Sequence, residues 1–288
     1  MLLYKQIKNI NKDFVKKTLS RLLKEDTPKG DSTTLAVITK KEKGRYVIRA
    51  REEIVFCGAT IINSAFSSAV KTTISVKDGD HLKANTDIAH IYGNTREILT
   101  KERLVLNMIQ HLSGIATNTN KYVEKINNNK IKILDTRKTT PGLRVFEKHA
   151  VYHGGGCNHR LNLSSGIMVK DNHIQKNINE VTQRLKKLKN KLPIQIEIDN
   201  IGQITKENTR LVDAFLLDNM NPLEIKKCIN KITALKRNNH KIFIEVSGGI
   251  TLKNILKYNI DGVNGISIGA LTHQSQSVDI GLDLDGES

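Results

Sequence analysis

The sequence predicts an α/β fold in which a barrel of about seven strands follows a smaller sheet-based domain. From residue 131 onward, short apolar runs alternate with helical stretches, which is typical of parallel strands joined by helices. No dinucleotide-binding glycine fingerprint follows the first run, so a closed barrel fits better than an open sheet. Polar residues follow most of the runs, and α/β barrels carry their chemistry at that end of the strands.

The first third of the chain predicts the smaller domain. A short helix is expected at 13–23, and turn-forming residues follow at 25–34. From residue 35 to about residue 91, five runs separated by turns have the composition of strands. These runs are LAVIT, YVIRA, IVFCG, KTTISV and DIAHIYG.

A helical period then runs from 95 to 112, where Ile98, Val105 and Ile109 form one apolar stripe. Arg103 lies on the opposite face of this helix, so we expect it to meet solvent, another domain or another subunit. Ser113 is expected to cap a second helix that ends near residue 127.

Seven apolar runs make up the predicted barrel, at 131–135, 159–163, 167–170, 194–199, 214–218, 242–246 and 265–269. Polar residues or glycine stand where these runs end, namely Asp135, Lys170, Glu197, Asp218, Ser247 and Gly269. Because the carboxyl ends of parallel strands meet at one edge, we expect these residues to surround a single site.

The composition narrows the class of protein. Among 288 residues, 46 Lys and Arg against 29 Asp and Glu give a net charge of +17, which favours acidic partners. Aromatic residues are 4% of the chain and Trp is absent, so base-stacking platforms for nucleic acid are poorly supplied. The three cysteines form no CxxC motif, and no run approaches the roughly 20 apolar residues of a membrane span. We therefore expect a cytoplasmic protein that binds neither nucleic acid nor membrane.

Two late glycine loops predict a phosphate site. Ser247-Gly248-Gly249 follows one strand and Gly269-Ala270 follows the next, and the last two loops of a barrel often hold phosphate. Glycines let backbone N–H groups approach an anion, and the N-terminus of a following helix favours negative charge. The alternative is that these glycines only turn corners.

Two carboxylates at strand ends are candidate catalytic groups. Glu197 and Asp218 could hold Mg²⁺ through oxygen ligands or stabilise a developing cation. The alternative is that they form structural ion pairs with Lys138 or Lys170.

A cationic stretch at 135–174 completes the candidate site. Arg103, Arg137 and Arg160 suit carboxylate recognition, whereas Lys138 and Lys170 suit substrate or pyrophosphate. His159 could orient a neighbour or transfer a proton. The other histidines of this stretch are interpreted as structural: His149, His153 and His173.

The sequence argues against two other enzyme classes, the α/β-hydrolases and the P-loop enzymes. Gly265–Gly269 matches the nucleophile elbow G-x-S-x-G, but only 19 residues follow it, which leaves little room for the acid and histidine of a hydrolase. A P-loop motif is absent from the sequence.

The order of these motifs resembles the quinolinate phosphoribosyltransferase family over nearly the whole chain. The matching segments are GDSTT (30–34), ARE (50–52), ER with LN (102–107), LSGIAT (112–117), TRKTTPG (136–142), GGG (154–156), NHR (158–160), KDNH (170–173), EIDN (197–200), LDNM (217–220), SGGI (247–250) and GALTH (269–273). Each segment alone is weak, but the ordered set is specific. Ser165 and Asn162 depart from the family's usual Asp and Gly, which bears on local loop geometry only.

The resemblance implies an N-terminal α/β sandwich domain, residues 1–108 with 274–288 returning to it, and an incomplete α/β barrel, residues 109–273. It also implies a homodimer or larger homo-oligomer with shared active sites. Arg51 and Arg103 would then reach into the site of the neighbouring subunit.

The implied reaction joins quinolinate and phosphoribosyl pyrophosphate, with loss of CO2, in NAD biosynthesis. Glu197, Asp218, Lys138 and Lys170 would be catalytic. Mg²⁺ would be held by Glu197 and Asp218, directly or through water. Substrate contacts would come from Arg51, Arg103, Thr136, Arg137, Lys138, His159, Arg160, Lys170, Glu197 and Asp218, and phosphate contacts from Ser247, Gly248, Gly249, Gly269, Ala270 and His273.

Three alternative functions remain open from the sequence. A paralogue on this scaffold would use another aromatic acid as the acceptor. A basic nucleic-acid-binding protein would show strongly salt-dependent binding to any duplex. A Schiff-base enzyme would use Lys170 as its amine and would be trapped by borohydride.

Overall fold

The structure, a computed structural model, describes residues 2–173, 178–187, 191–237 and 239–286. They form two compact units whose segments interleave along the chain. The sheet unit takes the described residues of Ile7–Asn120, Val145–Gly155 and Ser275–Ser288, and the barrel unit takes those of Met1–Gln6, Lys121–Arg144 and Gly156–Gln274.

The sheet unit contains six strands, and two of its helices, α4 and α5, extend by one end into residues of the barrel unit. The strands are β1 Lys43–Ala50, β2 Ile54–Val55, β3 Lys71–Ile74, β4 His81–Leu82, β5 Asp87–Asn94 and β12 Ile280–Leu284. The helices are α1 Lys12–Asp26, α2 Ser32–Val37, α3 Ala59–Ala65, α4 Thr95–Ile126 and α5 Arg144–His153. The predicted domain boundary at 108/109 falls inside α4.

The main sheet of this unit has the strand order β12-β1-β5-β3, and each neighbouring pair is antiparallel. Residues near the C-terminus thus form an edge strand beside β1, with Ala50 opposite Ile280. Buried apolar side chains of β1, β5 and α4 form the core of the unit, among them Val47, Ile91 and Ile98.

The predicted strand LAVIT is wrong, because helix α2 covers Ser32–Val37. The Asp31 carboxylate accepts hydrogen bonds from the Thr34 backbone N–H at 3.0 Å and from its hydroxyl at 2.5 Å. This N-cap satisfies orphan donors of the first turn and outweighs the β preference of the following residues.

The predicted pair of helices is a single helix, α4, which passes through Ser113 without a break. The Ser113 hydroxyl does not cap a helix. It accepts a hydrogen bond from the Cys57 N–H at 3.0 Å and donates one to the Cys57 carbonyl at 3.3 Å. Gly114 provides space beside it, because a Cβ there would lie 2.1 Å from the Gln276 carbonyl oxygen.

The barrel unit is built on one six-stranded parallel sheet with the order β6-β11-β10-β9-β8-β7. The strands are β6 Lys132–Leu134, β7 Ile167–Val169, β8 Ile194–Ile198, β9 Ala214–Asp218, β10 Phe243–Ser247 and β11 Gly265–Ser267. The helices are α6 Ile178–Lys186, α7 Lys206–Leu211, α8 Pro222–Leu235 and α9 Ala270–His273. The prediction of an incomplete α/β barrel is confirmed, with β6 and β7 as the edges of the sheet.

The expected count of about seven strands is one too high, because the run at 159–163 forms no strand. The buried Asp135 carboxylate accepts hydrogen bonds from the His159 backbone N–H and from the Asn158 side chain, both at 2.8 Å. The His159 backbone N–H, which in a strand would donate to a neighbouring strand, therefore donates to the Asp135 side chain instead. An isolated parallel bridge between Leu134 and Cys157 is found just before this run.

A helix that crosses a membrane must be about 20 residues long and predominantly apolar. Among the described residues, no helix meets both requirements for crossing a membrane.

Candidate active site

A cavity of about 730 Å³ lies in the barrel unit and is lined by residues at and just beyond the carboxyl ends of its strands. The predicted site residues that line it are Thr136, Arg137, Lys138, His159, Arg160, Lys170, Glu197, Asp218, Ser247, Gly248, Gly249, Gly269, Ala270 and His273. The other two predicted residues, Arg51 and Arg103, belong to the sheet unit. Most of the predicted site residues thus lie around one cavity at the carboxyl ends of the strands.

An acidic cluster lies at the ends of β8 and β9, and two of its members, Glu197 and Asp218, line the cavity. One carboxylate oxygen from each of Glu197, Asp199 and Asp218 lies within 4.8 Å of the others. Hard cations such as Mg²⁺ prefer oxygen ligands of this kind, so the predicted pair fits the predicted metal. Asp199 is exposed, follows the end of β8 and was not a predicted ligand, although its spacing of two residues from Glu197 already suggested a shared face.

The two interpretations of Glu197 meet in one contact. The Lys170 ammonium lies 2.6 Å from a Glu197 oxygen, so the pair that the sequence left open does form. The Glu197 side chain is 9% exposed and that of Lys170 is 42% exposed. A buried carboxylate needs a nearby positive charge, and the more exposed ammonium can move away when another cation takes its place.

Two arginines provide positive charge at the cavity wall. Burial lowers the pKa of Arg160 below its usual value, and the charge of Arg137 lowers it further. One guanidinium nitrogen of Arg160 donates to the Gly166 carbonyl at 3.1 Å. The buried Arg137 Nε has no hydrogen-bond partner among the described residues. Two close guanidinium groups with an unused donor favour binding of an anion.

The loop after β6 is held in place by hydroxyl groups. The Thr136 hydroxyl accepts from the Lys138 N–H at 3.0 Å, and the Thr272 hydroxyl donates to the Lys138 carbonyl at 2.6 Å. Lys138 itself is exposed. Thr272 was not predicted, and its position in GALTH gave no chemical signal of this role.

Two polar residues that were not predicted as site residues contact His159: Glu245 lines the cavity, and Gln195 is fully buried. The His159 Nε2 lies 3.1 Å from the Gln195 Oε1 and 3.4 Å from a Glu245 oxygen. Gln195 alternates with Glu197 in β8 and Glu245 alternates with Ser247 in β10, so strand alternation places each on the same face as a predicted residue.

The two glycine loops differ from the expected helix-terminus site. The turn after β10 leads into a short 3₁₀ turn, Ile255–Tyr258, and α9 after β11 has only four residues. So few aligned peptide units give little dipole. Any anion at these loops must therefore be held mainly by individual N–H groups and nearby cations.

The loop after β10 requires glycine at one position in particular. Gly248 has φ of 99°, and a Cβ there would lie 2.1 Å from the Asn219 Oδ1. Gly249 has φ of 59°, but a Cβ there would meet nothing within 4 Å. The loop thus packs tightly against Asn219, itself left-handed at φ 53°.

We expect Gly248→Ala to lower the free energy of unfolding by about 1–3 kcal/mol more than Gly249→Ala, because only the first adds overlap to backbone strain. Denaturant unfolding of the two variants would measure the difference. Equal losses would contradict the proposed tight packing of Gly248 on Asn219.

The remaining histidines have structural contacts, as interpreted from the sequence. In the sheet unit, the His149 ring bonds the Asp78 carboxylate and the Ile7 carbonyl, each at 3.1 Å. His153 bonds the Asp78 and Lys8 carbonyls, also at 3.1 Å. In the barrel unit, the His173 Nδ1 accepts the Lys170 N–H at 3.0 Å.

Comparison with known proteins identifies the family. A sequence model described as Quinolinate phosphoribosyl transferase, N-terminal domain, matches residues 31–113, and the corresponding C-terminal domain matches residues 115–283. The chain is 38% identical over 281 residues to a probable nicotinate-nucleotide pyrophosphorylase (carboxylating) of Methanocaldococcus jannaschii, covering 95% of this chain and 98% of that protein. A protein of Bacillus subtilis with the same description is 39% identical over 277 residues, covering 94% and 93%.

A solved structure supports the same assignment. The nicotinate-nucleotide pyrophosphorylase of Ehrlichia chaffeensis superposes with a TM-score of 0.86 at 39% identity, covering 93% of this chain and 98% of that one. Models of both domains, the relatives in sequence and the solved structure thus point to one family. This chain belongs to the quinolinate phosphoribosyltransferase family.

Proposed function

We propose that this protein transfers phosphoribosyl from phosphoribosyl pyrophosphate to quinolinate. The products are nicotinate mononucleotide, pyrophosphate and CO2, as required in de novo NAD biosynthesis. The observation that carries the proposal is one cavity, in a chain of this family, that combines guanidinium groups, ammonium groups, a carboxylate pair and glycine loops. Each of these groups matches one part of the two substrates.

Quinolinate carries two adjacent carboxylates on a pyridine ring. Arg137, Arg160 and Lys170 line the same cavity and would bind these carboxylates, with the His159 ring as a wall beside them. Guanidinium groups bind planar carboxylates through paired N–H donors. The unused Arg137 Nε supports this assignment, because a substrate carboxylate would satisfy it.

Phosphoribosyl pyrophosphate carries its charges at both ends. Backbone groups at Ser247, Gly248, Gly249, Gly269 and Ala270, with His273 beside them, would hold the 5′-phosphate. Lys138 and Thr136 would face the pyrophosphate. Lys138 is exposed, and its Cδ would lie 2.8 Å from a Cβ added to Gly269. The Lys138 side chain therefore lies against the second glycine loop, and the groups proposed for the two ends of the substrate are neighbours.

Transfer requires the ring nitrogen to bond to C1′ of the ribose as the C1′–O bond to pyrophosphate breaks. Positive charge develops on the sugar in this step, and Glu197 and Asp218 would stabilise it. Bound Mg²⁺ would supply further positive charge for the leaving pyrophosphate. The Glu197 and Asp218 carboxylates are its proposed ligands, directly or through water.

Loss of CO2 follows from the chemistry of the new cation. The alkylated nitrogen makes the ring a pyridinium, whose adjacent positive charge stabilises the electron pair that stays on C2 when its carboxylate departs as CO2. C2 then takes up one proton. The protein mainly positions the reacting groups and excludes unproductive geometries.

We also propose a cytoplasmic homodimer, or a larger homo-oligomer, in which Arg51 and Arg103 of one subunit complete the site of the next. Arg103 is exposed on α4, away from the buried stripe of that helix. Arg51 forms an ion pair with Asp283 and remains accessible at the surface of the sheet unit. All three cysteines are free, which suits a reducing compartment.

The test is CO2 release from quinolinate labelled in its 2-carboxylate, with and without phosphoribosyl pyrophosphate and Mg²⁺. We expect release only when both are present, with an equal amount of nicotinate mononucleotide. No release from folded protein would contradict the proposal and favour a paralogue that uses another aromatic acid. Borohydride inactivation with substrate present would instead indicate Schiff-base chemistry at Lys170.

A further inference from the structure

A chain of hydrogen bonds lies beneath the cavity and involves four side chains of the barrel unit. The Gln195 Nε2 donates to a Glu245 oxygen at 2.7 Å. The Gln195 Oε1 faces two donors, the Tyr4 hydroxyl at 3.2 Å and the His159 Nε2 at 3.1 Å. Gln195, His159 and Glu245 are 0%, 5% and 1% exposed, so solvent does not compete for these bonds.

The direction of every bond in this chain follows from the chemistry of Glu245. An ionised carboxylate can only accept hydrogen bonds. The Gln195 amide must therefore turn its NH2 group toward Glu245 and its oxygen toward Tyr4 and His159. Because that oxygen accepts, His159 must carry its proton on Nε2.

The other nitrogen of His159 agrees with this assignment. The Arg160 backbone N–H lies 2.7 Å from the His159 Nδ1, which accepts its hydrogen bond and so carries no proton. The Tyr4 ring packs against the imidazole, with 4.6 Å between centroids. The tautomer and plane of His159 are thus determined by groups behind it, as is common for functional histidines.

Glu245 is held in the ionised form that this chain requires. Burial alone would raise its pKa, but the interactions with His159 and the hydrogen bonds from Ser267 and Gln195 lower the pKa below the usual value. Glu245 is 1% exposed and lines the cavity. A buried carboxylate needs such partners to stay ionised, and here they connect it to His159.

We propose that Glu245 is a positioning residue for binding of the aromatic acid, acting through Gln195 on His159 and through His159 on the backbone of Arg160. The identity of the aromatic acid in this inference rests on the proposed function. The direction of the hydrogen bonds rests on the geometry alone. In this arrangement His159 is a fixed wall of the acid site with its Nε2 proton turned away from the substrate.

The test uses Glu245→Gln, which keeps the shape and removes the obligatory acceptor. Nitrogen-15 NMR of the histidine side chains reports which ring nitrogen carries the proton, and His159→Asn assigns the signal. We expect the wild type to show only the Nε2–H form of His159. Glu245→Gln should keep this form, because the Arg160 N–H still donates to Nδ1, but its Nε2 proton should exchange faster with solvent, since the Gln195 oxygen is no longer fixed toward His159. The KM for quinolinate should rise roughly tenfold in this variant, with the KM for phosphoribosyl pyrophosphate unchanged.

Tyr4→Phe is the matched control. It removes one donor to Gln195 but keeps the ring against His159, so exchange of the Nε2 proton and the KM for quinolinate should stay close to those of the wild type. Thermal unfolding of each variant separates these effects from loss of fold. If Glu245→Gln does not fold, Gln195→Met removes the next hydrogen bond of the chain and should give the same faster exchange and raised KM.

An Nδ1–H tautomer in the wild type would overturn the proposed hydrogen-bond direction. An unchanged KM for quinolinate in folded Glu245→Gln would overturn the positioning role. If the wild type released no CO2 from quinolinate, the NMR result would still decide the direction of the chain. Failure of the proposed function is thus distinguishable from failure of this inference.

Discussion

Asp218→Ala is expected to lower kcat roughly 10²–10³-fold while leaving both KM values within about threefold of the wild type. The Asp218 carboxylate lines the cavity at the end of β9 and has an oxygen within 4.8 Å of Glu197 and Asp199 oxygens. Its one described hydrogen bond is from the neighbouring Asn219 amide at 2.8 Å. The carboxylate therefore remains able to stabilise positive charge that appears only in the transition state.

Asp218 gives a cleaner test than Glu197, because removal of Glu197 would also leave the Lys170 ammonium without its partner. Asp199→Ala is the control, since this exposed carboxylate is nearby but does not line the cavity. We expect Asp199→Ala to keep turnover within about threefold of the wild type. Steady-state kinetics with both substrates would measure these changes, and normal turnover in Asp218→Ala would remove this carboxylate from the mechanism.

Arg137→Ala is expected to weaken quinolinate binding by roughly 100-fold or more, with binding of phosphoribosyl pyrophosphate retained. The buried Arg137 Nε has no partner among the described residues, and the charge of Arg137 acts on the nearby Arg160. Loss of one guanidinium would leave a substrate carboxylate partly unpaired in a confined cavity. Titration calorimetry with each substrate separately would measure both affinities.

Arg137→Lys is the informative companion variant, because it keeps the positive charge and loses the planar pair of donors. We expect it to recover only a small part of the lost affinity, since a point charge cannot reproduce bidentate binding. Full recovery would show that charge alone matters at this position. Unchanged quinolinate affinity in Arg137→Ala would contradict the assignment of this residue.

Much of the fold was predictable because local patterns and tertiary environment agree. The runs at 194–199 and 214–218 are apolar, β-branched or both, and they form the buried strands β8 and β9. The predictions of secondary structure were wrong where a side chain formed a hydrogen bond with the backbone that the sequence pattern did not reveal. Asp31 starts a helix in a run that resembled a strand, and Asp135 takes a backbone donor from the run at 159–163.

The site was predictable to the extent that strand ends carry chemistry. Glu197, Asp218 and Gly248 follow or end strands, and the parallel topology brings them to one cavity. Gln195 and Glu245 were missed because their importance depends on contacts between different strands. Neither residue has a neighbour in sequence that signals the hydrogen bond between them.

The sequence by itself determined the α/β class, the family and most of the residues around the cavity, because periodicity and ordered motifs are properties of the chain. Only the tertiary structure decided that Ser113 binds Cys57 within one continuous helix, that Lys170 pairs with Glu197, and that Gln195 contacts both Glu245 and His159. The physical reason is that these contacts join residues far apart in sequence. Their energies depend on distance and burial, which exist only once the chain has folded.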